Sequence, residues 1–438
     1  MSFNNMRSAL KLGQVELYQR RDHLCRAPFS GFCLDPGGNI TLCCMTSSNG
    51  RGNNISYFPS GKWTNISEIN DLEDFYNSKD MEYFRISLEK KKKIDPCTIC
   101  FKHEKKGAKT YRMITNDGMP ITGFDEDWDA RKENKRIPIR WLELTTSNIC
   151  NATCSTCNPF FSSKWNEVND FMIKNFYSHT YGELRGKDYG IKRLTKKDLQ
   201  KIEKILPNLR WLTLKGGEPF ADKNNFIILK KLFDVNDKCK VSIISNFYLI
   251  NKQMWEVIEK GKKQFRHIGA SIDGIGKEYD WIRSNRFEIA LKTMEKWYEK
   301  TGNHLGLNVY VSFHNFFSLH KIVDFFKDKE YVNNINFNNA NIYDGDFSLN
   351  HIPKNLIQEN LNKYFTSWKE INKKYYRKKR YDLINYEVLE EYLNTRNFDH
   401  NIDRTKSEFE FIDKMSSYRK FHLLDHCKPL KELYGTIL

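Results

Sequence analysis

From residue 139 onward, short apolar runs alternate with longer stretches whose apolar positions recur every three or four residues. The runs predict strands at Arg140–Thr146, Arg210–Lys215, Lys240–Asn246, His267–Asp273, Gly306–Phe313 and Asn334–Asn339. The stretches between them predict helices near 160–176, 222–235, 252–261, 286–301 and 318–328. Strands alternating with helices imply right-handed crossovers and a parallel sheet, an α/β fold. Ligands of such sheets lie at the carboxyl ends of the strands, so the residues just after each strand carry the interest.

The rest of the chain has a different rhythm. Residues 1 to about 24 read as an amphipathic lead-in helix. Pro36-Gly37-Gly38-Asn39-Ile40-Thr41-Leu42 predicts a hairpin that runs into Cys43 and Cys44. Helical spacing returns over 66–92, in Ile69, Leu72, Phe75, Met81, Phe84 and Leu88, and is followed by Cys97-Thr98-Ile99-Cys100 on a turn. The polar stretch 113–138 reads as a linker, and the region 160–208, longer than one helix needs, reads as a loop insertion at the mouth of a site. Residues 345–438 carry Leu, Tyr and Lys at helical spacing and predict C-terminal helices packed on the sheet. The expected organisation is therefore a cysteine-rich unit at 1–112, a linker at 113–138, the α/β unit at 139–344 and a helical extension at 345–438.

Composition narrows the class. The 438 residues have room for two domains and a sizeable core, with 39% hydrophobic and 29% charged positions. No run approaches the roughly 18 apolar residues a bilayer span requires, so no membrane partner is expected. Met1–Gln19 mixes Arg7, Lys11 and Glu16 with isolated leucines and lacks an apolar export core, which makes the cytoplasm the expected location. The net charge of +16 raises nucleic acid as a partner, although it is spread over scattered lysines and short runs and favours a basic solvated surface. Ten of the 11 cysteines precede residue 240 and several are in close pairs, the pattern of metal sites rather than disulfides. Cys239 and Cys427 stand apart, and the histidines show no paired metal spacing.

Cys150-Asn151-Ala152-Thr153-Cys154-Ser155-Thr156-Cys157 follows the first strand of the α/β unit. Three thiolates on one short loop suit three corners of an iron–sulfur cube and leave the fourth iron open to a small molecule. Zinc is the rival, but a structural zinc normally takes four protein ligands and no fourth Cys or His lies near in sequence. Upstream, the thiols of Cys25, of Cys43 or Cys44, and of Cys97 and Cys100 are enough for one closed four-thiolate site, which on chemistry alone suits zinc or a second iron–sulfur cluster equally.

Cys150, Cys154 and Cys157 at this spacing resemble the cluster loop of the radical S-adenosylmethionine (SAM) superfamily, with Thr156 where the family usually has an aromatic residue. Lys215-Gly216-Gly217-Glu218-Pro219, after the second strand, matches that family's GGEP motif. Glycines admit close backbone approach and a carboxylate pairs an ammonium, in keeping with the motif's role of holding the amino group of SAM. By the same resemblance, Ser245 and Asn246 face the ribose and carboxylate, Asp273 bonds a hydroxyl, and Arg283 pairs the SAM carboxylate. A turn, a helix cap and a surface arginine are the plainer readings of these last positions. The upstream cysteines, with Gly38 leading to Cys43 and then Pro96-Cys97-x-x-Cys100, Glu104, Gly107 and Arg112, resemble a twitch or SPASM auxiliary-cluster module. Its place ahead of the barrel resembles a set of twitch-domain proteins common in viral genomes. The ligands implied are Cys25, Cys43, Cys97 and Cys100, holding an auxiliary 4Fe-4S cluster or, alternatively, zinc.

The resemblance implies a partial (β/α)6 barrel after a small cysteine-rich domain. It also implies a 4Fe-4S cluster on Cys150, Cys154 and Cys157, reductive cleavage of SAM to a 5′-deoxyadenosyl radical, and hydrogen abstraction from a substrate, taken here as a peptide or protein. An external electron donor such as flavodoxin or ferredoxin is implied as well. The competing expectation is a zinc-containing nucleic-acid-binding protein without catalytic activity, which explains the charge and Cys97-x-x-Cys100 but leaves Gly216–Pro219 unexplained.

Overall fold

Nine strands form one sheet: β1 (Gly31–Leu34), β2 (Ile40–Thr41), β3 (Trp141–Leu144), β4 (Trp211–Leu214), β5 (Lys240–Ser245), β6 (Phe265–Ser271), β7 (Leu305–Val311), β8 (Val332–Ala340) and β9 (Ile384–Asn385). The computed structural model describes residues 24–46, 65–92, 94, 97–104, 110–118, 124–175, 191, 193–340, 346–379, 382–395 and 400–437. The expected lead-in helix, Pro96, Gly107 and the whole Tyr181–Gly190 stretch lie outside them.

The strand order is β2-β1-β3-β4-β5-β6-β7-β8-β9, and every pairing is parallel except that of β1 with β2. From β3 to β8 each crossover steps one strand in the same direction. With right-handed connections, a monotonic order puts the helices on one face and leaves the other open. Side-chain alternation agrees: in β7, Leu305, Leu307, Val309 and Val311 are buried while Gly306, Asn308 and Tyr310 are half-buried. Phe265, on the apolar face, packs on Phe233 and Trp297 of the helices Lys223–Val235 and Phe287–Thr301, with ring centroids 5.7 and 5.1 Å apart. On the open face, register aligns Glu143, Thr213 and Ser242, then Gly269, Gly306 and Asn334, then Ser271, Asn308 and Asn336. This face carries the asparagine amides of Asn308, Asn334 and Asn336.

The six expected strands and five expected helices of the α/β unit are all present, with ends shifted by a few residues. Four features differ from the sequence reading. The cysteine hairpin is not set apart from the sheet: β1 adds in parallel to β3, with Cys33 opposite Glu143. Residues 113–138, expected as a linker, carry the end of a helix at Tyr111–Gly118 and another at Phe124–Lys132. The expected loop at 160–208 contains a helix, Lys196–Ile205, started by a capping box in which Thr195 and Asp198 each accept the other's backbone N–H. The C-terminal region is helical as expected, at Lys354–Lys379, Glu387–Thr395, Ile402–Arg419 and Lys428–Ile437, but it also supplies β9. Two residues are too few to show a period of two. Asn372 closes this edge, its amide donating to the Ile384 carbonyl and accepting the Ile384 N–H.

Candidate functional site

The loops after β4 and β5 are anchored from below. Phe220 and Phe247, each just past a predicted site residue, pack on one another at 5.8 Å and on Trp297 at 5.9 and 5.7 Å. Phe247 takes a left-handed backbone (φ 52°), costly for a bulky residue, and its N–H is caught by the Ser245 hydroxyl at 2.9 Å. Gly216 is also left-handed (φ 86°), and a Cβ there would strike the Thr145 side chain; a Cβ on Gly217 would strike the Ile149 carbonyl. The turn Gly216–Pro219 thus lies directly against the residue that precedes Cys150, and the Glu218 N–H donates to the Ile149 carbonyl at 2.7 Å.

Glu218 is buried, and its carboxylate accepts from the Ser245 hydroxyl (2.8 Å), the Asn246 N–H (2.8 Å) and the Phe220 N–H (3.1 Å). Burial raises its pKa, and these three donors and the Arg283 charge oppose the rise. The carboxylate therefore clamps the ends of β4 and β5 together and keeps about one of its roughly four acceptor positions in reserve. Asn246 donates its side-chain amide to Asn151 at 2.7 Å, next to Cys150. The Pro219 carbonyl accepts from Asn225. Buried Asp273 and half-buried Arg283 form an ion pair at 3.0 Å, and the second Asp273 oxygen accepts the Tyr310 N–H at 2.8 Å. Ser245, Asp273 and Arg283, expected to face a ligand, are thus engaged chiefly with protein partners.

The three-cysteine loop is held by groups that no spacing pattern signals. The helix Lys277–Arg283 ends on Ser284, left-handed at φ 54°, and this corner grips the loop. Ser284 Oγ accepts the Thr153 N–H (2.6 Å), the Ile282 carbonyl accepts the Ser155 N–H (2.7 Å), and the Cys154 thiol donates to the Arg283 carbonyl (3.7 Å). Trp165 Nε1 donates to the Cys154 carbonyl at 2.8 Å, and Ser162 to that of Ala152 at 2.7 Å. Ser155 Oγ meets His314 Nδ1 at 3.0 Å. From the far end of the chain, Arg419 donates to the Thr153 carbonyl at 2.5 Å. Trp165 had a local signal, as the first residue of the helix after the loop; Arg419 had none.

Burial pushes the thiols of Cys150, Cys154 and Cys157 upward, and for Cys157 the other two thiols push further. Bringing a cation among them would reverse that shift, because ligation needs the thiolate. The four upstream cysteines named as ligands, Cys25, Cys43, Cys97 and Cys100, line one cavity of about 20 Å³ beside Tyr111 and Arg112. Cys44 is not among its lining residues, and the charges of Lys215 and Glu143 bear on its thiol. Arg112 is fixed by Glu104, at 2.7 and 2.8 Å, and donates to the Leu24 carbonyl. Among the described residues no three His, Cys, Asp or Glu side chains are drawn to metal-ligand spacing. In donor chemistry both sets suit thiophilic metals, three thiols on one loop and four around one cavity. Cys239 and Cys427 are buried away from both. No described helix is long and apolar enough to cross a membrane.

No protein-family model matches the sequence, and no curated protein matches it. Among solved structures the chain is similar to Streptococcus suis SuiB bound to S-adenosylmethionine, with 14% identity and a TM-score of 0.35 over 66% of this chain and 60% of SuiB. It is similar also to SuiB alone (15%, TM-score 0.35, 66% and 60% coverage) and to SuiB bound to the precursor peptide SuiA (14%, TM-score 0.35, 74% and 69%). The first two matches thus span 60% of the SuiB chain.

Proposed function

We propose that this chain is a radical SAM enzyme that modifies a peptide or protein. The observation that carries the reading is the contact between two motifs some sixty residues apart. The Gly216–Pro219 turn lies on Ile149, and Asn246 bonds Asn151, so both reach the three-cysteine loop at the carboxyl ends of β3, β4 and β5. Cys150, Cys154 and Cys157 would hold a 4Fe-4S cluster, and the Gly216–Glu218 backbone, Asn246 and the Arg283 guanidinium offer donors and acceptors for SAM. When bound, that pair would supply a one-electron cleavage of SAM and a carbon radical that takes a hydrogen atom from substrate. This chain's residues would hold the loop, exclude water around Cys154 and present the asparagine-bearing sheet face to the substrate. Amides that both donate and accept match peptide backbone groups, which is the ground for a peptide rather than a small alcohol.

The unit 1–112 is read as a twitch/SPASM-like domain, 139–344 as a partial barrel and 345–438 as its helical extension, in a cytoplasmic enzyme fed by an external electron donor. At the four-cysteine cavity an auxiliary 4Fe-4S cluster is the first reading. The volume of about 20 Å³ favours a second, a single tetrahedral zinc, since that space suits one water-sized particle. The test is anaerobic reconstitution with iron and sulfide, followed by assay for 5′-deoxyadenosine from SAM and reductant. Product that vanishes in Cys150→Ala, Cys154→Ala and Cys157→Ala supports the reading. A protein that carries zinc alone and shifts DNA or RNA in a salt-dependent manner would replace it with the nucleic-acid-binding alternative.

A further inference from the structure

The helix Ile402–Arg419 ends on a half-buried guanidinium beside the three-cysteine loop, with its Nε out of reach of solvent. We infer that Arg419 is a positioning residue that supplies the counter-charge for an anionic metal–thiolate centre on Cys150, Cys154 and Cys157. This is then what the C-terminal region adds to the site, and the inference rests on the proposed cluster.

The argument is one of unbalanced charge. Arg419 donates to two carbonyls, Thr153 (2.5 Å) and Asp280 (3.3 Å), and its Nε is buried without a hydrogen-bond partner. Its guanidinium lies over the Trp281 ring at 5.2 Å, and that indole is itself fixed by Ser416 at 3.0 Å. No carboxylate among the described residues pairs with Arg419. The neighbouring cation, Arg283, has Asp273. The carbonyl end of the Arg419 helix offsets part of a unit charge, roughly half. Carbonyls and a ring face are otherwise weak compensation for a cation partly withdrawn from water, which is ordinarily paired with an anion. Three thiolate ligands would bring the missing negative charge to the peptide that Arg419 already grips. A fixed cation there also favours the more negative, reduced state of such a centre, which raises its reduction potential.

The test uses full-length protein with Cys97→Ser and Cys100→Ser, so that iron reports only the three-cysteine loop. Arg419→Met and Arg419→Lys are compared with this parent for iron content, iron release to a chelator, midpoint potential followed by electron paramagnetic resonance, and melting temperature before and after reconstitution. The expected result for Arg419→Met is release at least several-fold faster, a more negative potential, and an unreconstituted melting temperature equal to or above the parent's. Arg419→Lys should hold the potential near the parent's. A potential and release rate unchanged in Arg419→Met would overturn the inference, as would equal loss of stability with and without iron. If Arg419→Met fails to fold, an Arg419→Lys potential shifted well below the parent's decides against it. A parent that binds no iron dependent on Cys150, Cys154 and Cys157 would overturn the proposed function along with it, whereas normal iron insensitive to Arg419 would overturn this inference alone.

Discussion

Replacing Asp273 with Asn strips the half-buried Arg283 of its anion while keeping an acceptor for the Tyr310 N–H. Asp273 is 1% exposed, so water cannot take the place of the lost carboxylate charge. Breaking a buried pair by removing one partner costs about 3–5 kcal/mol. At roughly 2.1 cal/mol/K per residue, 438 residues give an unfolding entropy near 0.9 kcal/mol/K, so the melting temperature should fall by about 3–6 °C. The damage should reach the three-cysteine loop, because Ile282, Arg283 and Ser284 grip it directly. Iron retention after reconstitution should fall with it. Asp273 itself titrates above the usual carboxylate range, since burial outweighs the help of Arg283 and the Tyr310 N–H. The pair is therefore poor in net stabilisation, and removing both charges should undo most of the loss. Differential scanning calorimetry of Asp273→Asn and of Asp273→Asn with Arg283→Met gives the comparison. A double variant no more stable than Asp273→Asn would refute the charge argument.

Other expectations follow from the same contacts. Trp165→Phe removes the donor to the Cys154 carbonyl and should cost about 1–2 kcal/mol in urea denaturation, with faster iron loss from the reconstituted protein. Gly217→Ala forces the turn away from Ile149 and should cost about 1–3 kcal/mol and abolish SAM binding in equilibrium dialysis, whereas Gly435→Ala, with open space around it, should be neutral or stabilising. Cys97→Ser should lower the metal content of the N-terminal site and Cys44→Ser should leave it intact, as counted by inductively coupled plasma mass spectrometry, because only the first lines the shared cavity.

What the sequence disclosed depended on how local each cause was. The strands and helices between 139 and 340 announce themselves because one face of each element meets the core, and their order follows from crossover handedness. The two motifs were legible because their chemistry is contiguous: three thiols in eight residues, and a glycine pair before a carboxylate. Cys25, Cys43, Cys97 and Cys100 were grouped by pattern and lie around one cavity. What stayed hidden was long-range or ambivalent. The parallel join of Cys33 to Glu143 bridges more than a hundred residues, and β9 is too short to show a period. Glu218, Ser245, Asp273 and Arg283 have the side chains of a ligand site, yet the same hydrogen-bonding capacity lets them bond one another. Arg419 looks like any surface arginine until the fold seats it against Thr153.

The most direct test of the account is the iron, acid-labile sulfide and zinc content of anaerobically reconstituted protein, set against a variant with Cys150, Cys154 and Cys157 all changed to Ser. The account predicts that the triple change removes about four irons with matching sulfide and leaves whatever the four upstream cysteines hold. Iron and sulfide contents identical in the two proteins, or zinc without iron in both, would contradict it.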